Sequence, residues 1–157
     1  YSQAAAVIAS KAGVDGMVGG QSLDVYLTDK PMDKEQLDYI FRLKTGALIE
    51  AAFMAGGILA GCDEKTQGLL CKAGYNVGFA FQIKDDILDV TSTQEVLGKP
   101  VLSDERNNKT TYVTLYGLEK AEKDTYDMSK EAMGIIKSIG HNEYLEELIN
   151  MLIHRNK

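Results

Sequence analysis

Apolar positions recur at helical rather than alternating spacing along most of the chain, and alternating β-branched stretches are few. The alanine-rich segment from Ser2 to about Val18 predicts one helix that ends among Gly16, Gly19 and Gly20. Gln21 to about Tyr26 continues as a short helical turn toward Pro31. Asp33, with Gln36 three residues on, has the spacing of a capping box. It opens a predicted helix reaching Gly61, in which Leu37, Ile40, Phe41, Leu48, Ile49 and Phe53 follow the helical period. Gly46 and the pair Gly56-Gly57 interrupt it. Each interior glycine costs about 1 kcal/mol relative to alanine, so a kink or a close backbone approach is expected there.

A long helix follows from Asp63 or Lys65 to about Thr91. Residues 92–109 read as a connector, containing Gly98-Lys99-Pro100 and a polar run to Lys109. A connector of that length in a compact domain is usually functional. Thr110 to Tyr116, Glu119 to about Ile139 and Asn142 to Ile153 complete the pattern. Two prolines and no internal repeat fit one all-α unit spanning 1–157.

Composition narrows the choice. The 157 residues are 45% hydrophobic and 25% charged, enough for a single core of ordinary globular type. A net charge of −6 argues against nucleic acid or an anionic membrane as partner. An anionic substrate must therefore be met by local lysines or by metal. Cys62 and Cys71 are too few for a disulfide framework and read as small core residues in a reducing compartment. His141 and His154 lack ligand spacing. No apolar run is long enough to cross a membrane. The chain opens on Tyr1 without an initiator Met, which reads as a fragment or a processed product.

Within the run from Leu69 to Val90 stand three carboxylates, Asp85, Asp86 and Asp89. Asp85 and Asp89 are four apart and share one helix face. Like charges at that spacing repel by roughly 0.2–0.5 kcal/mol even on an exposed helix, and burial raises the cost. A cation opposite them is expected. Mg2+ fits best, because it takes oxygen ligands and combines one or two carboxylates with substrate phosphates.

Asp85-Asp86-Ile87-Leu88-Asp89, after Phe81-Gln82, resembles the second aspartate-rich motif of the trans-isoprenyl diphosphate synthases. Four further segments agree in order: Gly19-Gly20-Gln21 with Asp24, Lys44-Thr45-Gly46, Leu97-Gly98-Lys99, and Asn108-Lys109-Thr110-Thr111-Tyr112. The likeness runs over essentially the whole chain and is greatest to bacterial farnesyl and geranyl diphosphate synthases. It implies an isoprenoid-synthase-type helical bundle and Mg2+-dependent joining of an allylic diphosphate to isopentenyl diphosphate, with a short-chain product. It also implies a cytoplasmic homodimer when intact. Asp85, Asp86 and Asp89 would hold Mg2+, with Asp85 as the direct ligand. Lys44, Lys99 and Lys109 would bind diphosphate oxygens, and Thr45 and Gln82 would supply hydrogen bonds. Gln21 and Asp24 read as a polar pair supporting the cavity. Arg155 and Lys157 resemble a basic tail that can close over the isopentenyl site.

The first aspartate motif of such synthases, with its following arginines, has no counterpart in this sequence. The resemblance is therefore to a C-terminal half, which by itself is expected to give no turnover. Phe41 stands where relatives often carry histidine, Asn108 and Leu102 where they often carry glycine, and Val113 where they often carry proline. A non-catalytic subunit of a heteromeric prenyl synthase, or a terpene synthase sharing the fold, is the alternative.

Overall fold

The computed structural model describes residues 1–92 and 110–155, Ile153 by its backbone alone. Its elements are α1 (Ser2–Ala12), α2 (Met17–Tyr26), α3 (Lys34–Ile40), a π-helical turn (Phe41–Gly46) and α4 (Ala47–Leu59), followed by α5 (Glu64–Thr91), α6 (Tyr112–Tyr116), α7 (Leu118–Ile139) and α8 (Glu143–His154). Among the described residues there is no strand, and the fold is the expected all-α one.

Helix α5 is the axis. The Asp63 side chain accepts the Thr66 N–H at 2.8 Å and so satisfies a donor that the first turn leaves open. From there the helix runs unbroken to Thr91, flanked by α4 and α7. Its two halves serve two clusters. Leu70, Ala73 and Val77 pack with Ala132 and Ile136 of α7 and Ile149 of α8. Further along, Phe79, Ile83 and Ile87 pack with Leu37, Ile40, Phe41 and Tyr112. Each large side chain buried this way contributes roughly 1.5–3 kcal/mol. The second cluster lies beneath the functional residues and fixes their elements against one another.

Two sequence expectations are revised. The first helix stops at Ala12 instead of reaching Val18. The Gly13 N–H turns back to the Ala9 and Ser10 carbonyls, and a tight turn joins the Gly16 N–H to the Gly13 carbonyl at 3.0 Å. The segment read as a short turn toward Pro31 is then the second half of α2. The run from Asp33 to Gly61 is likewise divided. Its capping box forms as expected, with the Gln36 N–H donating to Asp33 at 2.8 Å and the Asp33 N–H to Gln36 at 3.0 Å. After Ile40, however, the helix widens into the π-helical turn, which ends at Gly46, one of the expected interruptions. That end packs closely on α5. A methyl group at Gly78 of α5 would stand 2.6 Å from the Gly46 Cα, so the two backbones approach as closely as glycine allows.

Helix α1 is fastened to α4 by an ion pair between Lys11 and Glu50, the latter only 3% exposed. Cys62 and Cys71 are both free thiols. Burial, followed by the neighbouring Glu50 charge, raises the Cys71 pKa above its ordinary value.

Candidate functional site

Lys44 and Thr45 sit on the π-helical turn, a local widening often found where a helix must present side chains out of the ordinary register. Helix α2 lies against this turn because residue 20 is glycine. A methyl group there would be 2.4 Å from the Lys44 backbone nitrogen and 2.8 Å from the Leu43 Cβ. One turn later along α2, Asp24 reaches the lysine, and the Lys44 Nζ donates to Asp24 Oδ2 at 2.6 Å. Both partners are more than half withdrawn from water. Gln21, expected to pair with Asp24, points to solvent instead. The partner of Asp24 is Lys44, a contact that spacing within α2 could not reveal.

The three carboxylates of α5 differ in environment. Asp85 is half-exposed, and its Oδ2 accepts from Gln82 Nε2 at 3.3 Å. Its Oδ1 is paired with the Arg155 guanidinium, which lies 3.8 Å over the Phe81 ring and also donates to the Phe81 carbonyl at 3.1 Å. The Asp86 Oδ2 accepts the Tyr112 backbone N–H at 2.6 Å. That N–H belongs to the first residue of α6, so the carboxylate ties the helix start to α5. Asp89 is buried, with 2% of its surface exposed.

A cavity of about 290 Å3 opens where these elements meet. Asp24, Lys44, Thr45, Gln82, Asp85, Asp86 and Thr110 line its polar side, and Leu37, Ile40 and Phe41 its apolar side. The Thr110 hydroxyl accepts the Met32 N–H at 3.1 Å, stitching the segment before α6 to the approach of α3. Six of the expected residues are therefore placed as follows: Lys44, Thr45, Gln82, Asp85 and Asp86 in one wall system, Asp89 buried outside this lining. Lys99, Lys109 and Lys157 lie outside the described residues.

Tyr112 anchors the far side. Its hydroxyl donates to Asp124 Oδ2 at 2.6 Å. Burial, then this carboxylate, pushes the phenol pKa upward, so it stays a donor. Burial pushes the Asp124 carboxyl up, but bonds from Lys120 and the Tyr112 hydroxyl outweigh it and hold the group below its ordinary value.

Among the described residues no three His, Cys, Asp or Glu side chains converge to hold a metal by themselves. The donors at the cavity are oxygens beside an ammonium, a set suited to a hard divalent cation that brings phosphate ligands with it. The guanidinium on Asp85 is an organic cation seated on that carboxylate, so the position does accept positive charge.

Solved structures of similar fold place this architecture in the isoprenoid-synthase class. A geranyltransferase from Helicobacter pylori, solved in complex with magnesium and isoprenyl diphosphate, matches with a TM-score of 0.78 and 31% identity, covering 97% of this chain and 50% of that one. The polyprenyl synthetase signature spans residues 2–152, and the chain belongs to that family. It is 40% identical over 152 residues to farnesyl diphosphate synthase of Micrococcus luteus, covering 96% of this chain and 52% of the relative. It is also 40% identical over 156 residues to farnesyl diphosphate synthase of Escherichia coli K12, with the same coverage of both. The chain thus spans about half the length of the curated relatives it matches. No helix among the described residues is long and apolar enough to cross a membrane.

Proposed function

We propose that this chain supplies the metal-diphosphate side of a prenyltransferase that joins an allylic diphosphate to isopentenyl diphosphate with a short-chain product. The observation that carries the reading is the convergence of Lys44, Gln82, Asp85 and Asp86 on one cavity with an apolar opposite wall. Asp85 would be the direct ligand to Mg2+. Asp86 completes the acidic side of the cavity, Asp89 stands buried outside its lining, and Lys99 and Lys109 add positive charge from the connector. Mg2+ held there would supply Lewis-acid charge neutralisation to the diphosphate leaving group, which takes the electron pair of the breaking allylic C–O bond.

The chain's own residues do the rest. The Lys44 ammonium binds diphosphate oxygens as a point charge, held in place by Asp24. Gln82 orients the Asp85 carboxylate through Oδ2, and Thr45 donates a hydroxyl. Leu37, Ile40 and Phe41 keep water from the prenyl side, where it would quench the cation. The sequence holds one aspartate-rich motif of this kind, so the chain by itself binds but does not turn over. The intact protein acts as a cytoplasmic homodimer.

Calorimetry of pyrophosphate binding to the 157-residue chain tests this. Affinity should rise with Mg2+, and Asp85→Ala should weaken the Mg2+-dependent component by about tenfold or more, the scale of a lost charged contact. Equal affinity for parent and variant would remove Asp85 from the site.

A further inference from the structure

Arg155 is the last described residue, seventy positions beyond Asp85, yet its guanidinium is the cation seated on that carboxylate. We infer that Arg155 is an internal counter-cation: it occupies the Asp85 carboxylate when no metal is bound and must leave before a divalent cation can enter. The inference rests on the proposed metal-diphosphate reading of Asp85.

The contact is built in a way that holds the carboxylate without sealing it. Arg155 is largely covered, with 18% of its side chain exposed, while Asp85 keeps 44%. The guanidinium lies 3.8 Å over the Phe81 ring, a favourable cation–π arrangement, and Nη2 bonds to the Phe81 carbonyl at 3.1 Å. The strongest use of arginine on a carboxylate is a two-toothed fork. Here only Oδ1 is engaged, because Gln82 holds Oδ2. The Arg155 Nε is buried and has no hydrogen-bond partner among the described residues. One guanidinium edge is thus unsatisfied, which favours exchange.

Release needs no unwinding. Arg155 stands just past the end of α8 in extended backbone, φ −60 and ψ 147. A dication offers Asp85 more charge than one guanidinium does, so the exchange runs toward the metal as free ion rises, and further when diphosphate adds its phosphate ligands. Until then the pair reduces the fraction of chains whose Asp85 is open, and apparent metal affinity falls by that fraction.

Mn2+ alone is the probe, its free concentration read by electron paramagnetic resonance with the 157-residue chain. Arg155→Gln should bind Mn2+ about fivefold to tenfold more tightly than the parent. Asp85→Asn should weaken binding in the parent and abolish the gain when combined with Arg155→Gln. If Asp85→Asn weakens binding but Arg155→Gln does not tighten it, the counter-cation role is wrong while the metal site stands. If Asp85→Asn changes nothing in either background, both fall together. A second readout needs no variant. The Arg155 Nε–Hε resonance should shift as Mg2+ is added and saturate with the Mg2+ affinity obtained from its competition with Mn2+, and a resonance that never moves overturns the inference.

Discussion

Asp85, Asp86 and Asp89 are near neighbours in sequence, yet each meets different surroundings. Asp85 faces the cavity and a guanidinium, Asp86 takes the first N–H of α6, and Asp89 is sealed from solvent. The motif told which residue types would gather, and helical periodicity told that Asp85 and Asp89 share a face. Neither could say that residue 86 would also serve as a clamp, since its partner lies 26 positions away. The Asp24–Lys44 contact was hidden for the same reason: it depends on α2 lying across the π-helical turn, which a glycine at 20 permits. That pair can be measured. Asp24→Asn and Lys44→Met should each destabilise the fold, and a double-mutant cycle by urea unfolding should give a coupling of roughly 0.5–3 kcal/mol, as expected for side chains in direct contact. Strict additivity would mean that the ion pair contributes nothing beyond its separate members.

At the scale of elements, the start signals were readable where they are local. Asp33 with Gln36 forms its box, and Asp63 begins α5 as expected. Helix ends and register changes were less accessible. A one-residue widening leaves the hydrophobic period nearly unchanged, so the π-helical turn is invisible to spacing, although Gly46 marked its end. The alanine-rich start misled for another reason: the helix was carried over Gly13-Val14-Asp15, residues of low helix propensity, to an end among Gly16, Gly19 and Gly20, whereas Gly13 already caps α1. The contact between Gly46 and Gly78 sets how the π-helical turn meets α5, and so how Lys44 meets Asp85. Gly78→Ala places a methyl group 2.6 Å from the Gly46 Cα, where only backbone could yield. The expected loss is about 1–3 kcal/mol of unfolding free energy, typical of overpacking in a close-packed interface. An unchanged urea midpoint would show that the interface has slack.

For the whole molecule, the order of the five sequence segments was the most informative feature, and residues from four of them fall among those described. Segments around residues 24, 44, 82–86 and 110 meet at one cavity, although they come from three separate elements and the segment before α6. An acidic chain with net charge −6 must meet a polyphosphate ligand with local lysines or with metal, and at this cavity Lys44 stands among Asp24, Asp85 and Asp86. The chain covers about half of its curated relatives, so the cavity is read here as one side of a site. The most direct measurement is a crystal structure of this chain grown with Mn2+ and pyrophosphate, with data collected to show the metal's anomalous signal. The account predicts a peak within coordination distance of an Asp85 oxygen and a pyrophosphate oxygen against the Lys44 ammonium. A metal or pyrophosphate bound only elsewhere on the molecule, with the cavity between them filled by water, would contradict it.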